Sequence, residues 1–174
     1  MPPTPKQPAK RRTRRPSPEA IAAEHGLVVD PETSARLGRI RQKNTRAEEQ
    51  LQDLLRGLGL TFETNNRDLP GSPDVANRRD RWAVFAHGCY WHSHRGCPRA
   101  TVPKRNREFW EAKFAANRAR DARVLRSLRR QGYRAVVVWE CQLRSSPERI
   151  SQRLAHLLVG SRGRGAEESS KLVE

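Results

Sequence analysis

The run from Ala86 to Cys97, Ala-His-Gly-Cys-Tyr-Trp-His-Ser-His-Arg-Gly-Cys, limits what this chain can fold into more than any other stretch. It holds three of the five histidines and two of the three cysteines, with Tyr90 and Trp91 side by side at its centre. Such a loop carries too little apolar content to order itself, and a bound metal would supply the missing folding free energy. Cys89, His94 and Cys97 form a Cys-x4-His-x2-Cys run, and Cys141 is the one remaining thiol. The four make a Cys3His set of the kind a structural zinc ion takes in a closed tetrahedron. On spacing alone His92 would serve as well as His94. Whichever is not a ligand is left, with His87, for other chemistry. Three thiols also argue against a closed disulfide framework and for a reduced, cytosolic setting.

The rest of the chain is strongly basic: 35 Lys+Arg face 19 Asp+Glu, a net charge of +16 over 174 residues. That length suits one domain with a real core. A field so positive favours a polyanionic partner, above all nucleic acid. No apolar run approaches the roughly 20 residues of a membrane span. No apolar segment follows the charged start, so no secretory signal is expected. Residues 1–32 are expected to be a largely disordered basic arm, 33–159 the folded domain and 160–174 a disordered tail.

Within the domain, residues 33–43 read as an arginine-rich helix bearing Leu37 and Ile40. Thr45 followed by Glu48 predicts a capping box, and Leu51, Leu54, Leu55 and Leu58 recur at helical spacing behind it. Residues 60–64 read as a short strand. Two further strands follow, beginning at Pro73-Asp74-Val75-Ala76 and Trp82-Ala83-Val84-Phe85-Ala86, and they should pair as a hairpin. A long helix is expected over 106–131, with Trp110, Phe114, Leu125 and Leu128 inward and Lys113, Arg118, Arg120, Arg123, Arg126, Arg129 and Arg130 outward. The apolar run 133–139 predicts a strand buried on both faces. A last helix near Pro147 should turn Ile150, Leu154, Leu157 and Leu158 inward. The order describes an α/β (α+β) fold, a small mixed sheet flanked by helices.

Glu48 on an early helix, Pro73-Asp74 entering a strand and His87 at the end of the next strand follow the ordering of restriction-endonuclease-like nucleases. The usual Glu-x-Lys of that pattern is replaced here by Phe85-Ala86-His87, so the base should be a histidine and one metal ligand a backbone carbonyl. Leu69-Pro-Gly-Ser-Pro-Asp74, Val84-Phe-Ala-His-Gly-Cys-Tyr-Trp-His92, Glu108-Phe-Trp110 and Trp139-Glu-Cys141 closely resemble the very short patch repair (Vsr-type) DNA mismatch endonucleases, over about residues 34–158.

The resemblance implies a restriction-endonuclease-like core with a structural zinc site. It implies a bacterial, cytoplasmic, nucleoid-associated enzyme that acts as a monomer. Such an enzyme nicks one strand of double-stranded DNA beside a T:G mismatch left by deamination of 5-methylcytosine, with Mg2+, and mismatch-repair proteins are candidate partners. Asp74 and the Ala86 carbonyl would hold Mg2+, with Glu48 near it through water. His92 would be the general base and His87 would lie at the scissile phosphate. Cys89, His94, Cys97 and Cys141 would hold Zn2+. Tyr90 and Trp91 would wedge into the duplex, Leu37 would complete the wedge from the other groove, and Lys104, Arg105 and Arg107 would contact phosphates. Two other readings stand beside it: a nuclease of the same fold with another specificity, and a zinc-stabilised DNA-binding module that does not cleave.

Overall fold

The computed structural model describes residues 45–158 together with Ala23, which is helical and exposed. The rest of the basic arm, the helix expected to carry Leu37, and the tail from 160 onward lie outside the described residues. The elements are α1 (Arg46–Gly57), β1 (Val75–Asn77), β2 (Trp82–His87), α2 (Arg107–Arg130), β3 (Arg134–Trp139), α3 (Glu140–Ser145) and α4 (Pro147–Leu158).

The sheet has three strands in the order β1-β2-β3. β1 and β2 are an antiparallel hairpin in the register Val75↔Val84, and β2 runs parallel to β3 from Trp82↔Arg134 to His87↔Trp139. The long helix between β2 and β3 is what makes the parallel pair possible, because parallel neighbours need a crossover. Successive side chains on a strand point to opposite faces, and both faces are covered here. Val75, Trp82, Val84, Val136 and Val138 pack with Leu51 and Leu55 of α1, Leu143 of α3, and Ile150, Leu154 and Leu158 of α4. Ala76, Ala83, Phe85 and Ala135 face α2 through Val124 and Leu128. Three alanines beneath one helix leave room for its branched and aliphatic side chains. A satellite cluster of Phe109, Trp110 and Phe114 lies at the start of α2, with Tyr90, Trp91 and Val102 against it.

The local signals explain most boundaries. Thr45 accepts from the Glu48 N–H at 3.4 Å and donates its hydroxyl to the Glu48 carboxylate at 3.0 Å. The cap therefore links the two side chains directly, where a capping box would send the glutamate to the backbone. Helix α2 ends at Gly132, whose φ of +80° is the left-handed turn glycine permits. Gly132 N–H bonds to the Arg129 carbonyl at 2.9 Å and Tyr133 N–H to the Leu128 carbonyl at 3.0 Å, the pair of bonds that turns a helix end into a new direction.

Several expectations need correcting. Residues 60–64 contribute only a bridge between Glu63 and Ala76, because the Asn77 side chain takes the Thr61 carbonyl at 2.9 Å where a ladder would continue. Leu157 is 37% exposed, since α4 has one apolar stripe, and Ile150, Leu154 and Leu158 already fill it. Residues 140–145, with Cys141 among them, form the short helix α3. Arg120 is turned inward: its side chain is only 14% exposed. Among the described residues no helix is long and apolar enough to cross a membrane.

Candidate active site and metal centre

Both centres lie where β2 and β3 end together, His87 opposite Trp139. The carboxyl end of parallel strands is where open α/β sheets place ligands. Asp74 immediately precedes β1, and its Oδ2 accepts the Ala86 N–H across the hairpin at 2.7 Å. That bond brings the carboxylate beside the last residues of β2. Glu48, from the first turn of α1, lines the same cleft as Asp74, His87 and His92.

From the loop beyond β2, His92 folds back until its ring stacks on that of His87, centroids 3.7 Å apart and planes 11° from parallel. His92 Nδ1 lies 2.5 Å from Asp121 Oδ2 on α2, and Arg120 Nη2 donates to Asp121 Oδ1 at 2.8 Å. Burial alone would push the Asp121 carboxyl up. The His92 hydrogen bond and charge, the Arg120 hydrogen bond and the charge of His87 outweigh it and bring it down to about 2. An ionised acceptor on Nδ1 fixes the ring and leaves Nε2 to accept a proton. His87, His92 and Asp121 also lie close enough to share an ion. The direct His92–Asp121 bond instead has the geometry of a base held by its orienting group.

The loop backbone is wound into turns, with His92 N–H on the Gly88 carbonyl at 3.2 Å, His94 on Cys89 at 2.9 Å and Cys97 on His94 at 3.1 Å. These turns send His92 toward the cleft and Cys89, His94 and Cys97 the other way, to Cys141 at the start of α3. The four ligand atoms lie within 4.8 Å of one another. His94 Nδ1 is 3.6 Å from Cys89 Sγ and 3.4 Å from Cys141 Sγ. A tetrahedral ion with Zn–S of about 2.3 Å and Zn–N of about 2.0–2.1 Å spaces sulfur and nitrogen roughly 3.5 Å apart, so the donor set fits zinc. Burial pushes the Cys89 thiol up to about 12 and holds His94 below the usual imidazole range. The Cys97 thiol is instead held below the usual range, chiefly by the Arg99 backbone N–H, and a bound cation would favour the thiolate form of the set. Trp139 joins the two centres, stacking face to face on His94 at 4.0 Å and edge-on to His87 at 5.5 Å.

Comparison with known proteins gives the family. The family model "DNA mismatch endonuclease Vsr" matches residues 28–99. The DNA mismatch endonuclease Vsr of Escherichia coli K12 is 38% identical over 125 residues, 70% of this chain and 80% of that protein. The chain belongs to the Vsr family of DNA mismatch endonucleases. The Type II nicking enzyme V.XorIIP of Xanthomonas oryzae is 41% identical over 119 residues, 68% of this chain and 86% of that protein. V.NmeAIP of Neisseria meningitidis is 33% identical over 107 residues, 62% and 76% of the two chains. Membership of the Vsr family makes the protein an endodeoxyribonuclease.

The structure brings together Glu48, Asp74, Ala86, His87 and His92 in the cleft, and Cys89, His94, Cys97 and Cys141 beside it. Tyr90 and Trp91 are half-buried, packed edge to face on each other at 5.1 Å. Tyr90 also meets Trp110 at 5.6 Å and Phe114 at 5.4 Å. Asn117 Nδ2 ties the Trp91 carbonyl to α2 at 2.8 Å. Lys104 and Arg105 are exposed on the loop before α2, while Arg107 is paired with Glu111 of its own helix at 2.8 Å. Leu37 lies outside the described residues.

Asp121, Arg120, Asn117 and Trp139 went unassigned from sequence. One signal was legible: Asp121 is the only acid between Glu111 and Glu140, amid arginines. Asp121 enters the site on its geometry, 2.5 Å from His92 Nδ1, whereas Cys141 already stands in the Cys3His set that the sequence offers.

Proposed function

We propose that the protein nicks one strand of duplex DNA beside a T:G mismatch by Mg2+-dependent hydrolysis, on a restriction-endonuclease-like core. The His92–Asp121 pair carries this reading, because it stands in one cleft with Asp74, and His92 shares its loop with Tyr90 and Trp91.

Mg2+ prefers oxygen ligands, and the cleft offers carboxylates from Asp74 and Glu48 with the Ala86 carbonyl at the end of β2. When bound there, the ion would neutralise phosphate charge and acidify its water. His92 Nε2 takes the proton of the attacking water, and Asp121 stabilises the imidazolium that results. His87, stacked on His92, contacts the scissile phosphate. The water oxygen bonds to phosphorus as the P–O3′ bond breaks, leaving a 5′-phosphate and, once the departing oxygen is protonated from solvent, a 3′-hydroxyl.

Tyr90 and Trp91 enter the duplex at the mismatch, where stacking is weakest and a wedge costs least. Their buried underside on Trp110 and Phe114 lets them enter without losing their own support. Zinc on Cys89, His94, Cys97 and Cys141 fixes the loop so that base and wedge act in register.

A second reading is favoured by the names of the nicking-enzyme relatives, which state no mismatch: the same chemistry with another sequence context. Purified protein with Mg2+ and two duplexes differing only in one T:G pair separates the readings. Nicking of the mismatched duplex alone supports the first, and equal cleavage of both overturns it in favour of the second. Tight binding with no nick would leave only a DNA-binding module.

A further inference from the structure

Four residues of α2 at helical spacing, Asn117, Arg120, Asp121 and Val124, form one stripe beneath the cleft. Asn117 holds the Trp91 carbonyl and Asp121 holds His92, while Val124 lies against Phe85 and Leu69 in the core. Arg120 is the remaining member. Its side chain is 14% exposed, its Nη2 donates to Asp121, and its Nη1 is buried with no hydrogen-bond partner among the described residues. It lines the cleft with Glu48, Asp74, His87 and His92.

A guanidinium cannot escape burial by losing its proton, and it carries five donors in a rigid fork. A buried donor left unpaired is costly. Neutralising Asp121 requires only the Nη2 edge, so that role does not account for Nη1. The missing acceptor should be an anion that enters the cleft, and a phosphate oxygen matches the fork in charge and geometry. We propose that Arg120 is a catalytic residue whose Nη1 binds a non-bridging oxygen of the scissile phosphate while Nη2 stays on Asp121. This rests on the reading of the cleft as the nuclease site.

The consequence is a division of labour on one side chain. Charge builds on the non-bridging oxygens as water oxygen approaches phosphorus, and a donor already oriented by Asp121 meets it without reorganising. The same guanidinium ties phosphate to the base: a phosphate seated on Nη1 lies beside the carboxylate that orients His92. Water is thereby deprotonated next to the phosphorus it attacks.

The test uses the full chain in single-turnover nicking with Mg2+, wild type alongside Arg120→Ala and Arg120→Gln, on a duplex that wild type cuts. Melting curves check that each variant folds, and the glutamine variant covers a failure of the alanine one. The rate should fall by about 10²–10³-fold, with affinity for the uncut duplex in Ca2+ changed by less than about threefold. Sulfur at each non-bridging position of the scissile phosphate gives the deciding readout. One of the two diastereomers should slow wild type through its weakened bond to Arg120, and that slowing should vanish in the variants. If both diastereomers slow wild type and variants by the same factors, Arg120 acts only through Asp121 and the proposal is overturned. A rate within fivefold of wild type would overturn it as well. A wild type that cuts only fully paired DNA sinks the mismatch reading and leaves this test intact, and one that cuts no duplex overturns both.

Discussion

Asp121 is the residue on which the catalytic reading most depends, and its ionisation gives it two measurable consequences. Its pKa in the folded protein, about 2, lies below the ordinary 3.8 of an aspartate. The group therefore contributes stability that is fully present above about pH 4 and is lost as pH falls toward 2. Asp121→Asn should flatten that acid limb of the stability curve. Urea unfolding at stepped pH checks this, and an unchanged limb would place the acid sensitivity elsewhere. The same variant should lower kcat by about 10²–10⁴-fold, because an amide neither stabilises imidazolium nor enforces the tautomer that leaves Nε2 unprotonated. Asp74→Ala should abolish nicking while leaving the melting temperature and mismatch binding nearly unchanged. Loss of folding would show that its bond to the Ala86 N–H is structural first. Asp74, His87 and His92 were legible in sequence because they stand in the Leu69–Asp74 and Val84–His92 motifs that carry the family resemblance. Arg120 and Asp121 were not, because an Arg-Asp pair in a basic helix reads as solvated surface until a histidine from elsewhere in the chain meets it.

The helices obey their periodicity where one face alone is buried. In α4 the exchange of Leu154 for alanine should cost about 2–5 kcal/mol, since Leu154 is fully buried. Leu157→Ala should cost less than about 1 kcal/mol, since that side chain is exposed. Denaturant midpoints of the two variants compare them directly. Spacing alone did not separate them, because adjacent leucines at positions 157 and 158 both fit a broad apolar stripe. Only the position of α4 against β3 and α1 decides which one is covered. Gly132→Ala should cost about 1–2 kcal/mol. Its added Cβ would meet nothing nearer than Arg81 Cδ at 3.8 Å, so the penalty is that of a left-handed φ and not of crowding. The strand expected at 60–64 shows the limit of reading elements singly. A strand exists only if a partner has free backbone, and Asn77 answers the Thr61 carbonyl with its side chain.

Across the whole molecule, zinc would join parts of the chain that backbone turns alone bring near each other. Three ligands lie in the loop after β2 and the fourth on α3, separated by the full length of α2. Cys141→Ser should therefore lower zinc content and melting temperature together, the latter by at least about 5 °C. Nicking should fall as well, because Trp139 packs between His94 and His87. Unchanged zinc content and melting temperature would remove Cys141 from the ligand set. The sequence by itself determined a good deal of this protein. The mixed sheet with flanking helices, the hairpin, a buried strand at 133–139, the three thiols of the metal set with His92 or His94 beside them, and the resemblance to the family were all legible in it. Each of these is written in local periodicity, turn chemistry or uncommon residues at close spacing. Tertiary structure alone decided what the ring nitrogens face. It paired His92 with Asp121, drew Arg120 inward, set Trp139 between the centres and packed Tyr90 and Trp91 on α2. These are contacts between segments far apart in the chain. A contact of that kind has no local signature, because its geometry is fixed by how three layers stack and not by the spacing of residues along any one of them.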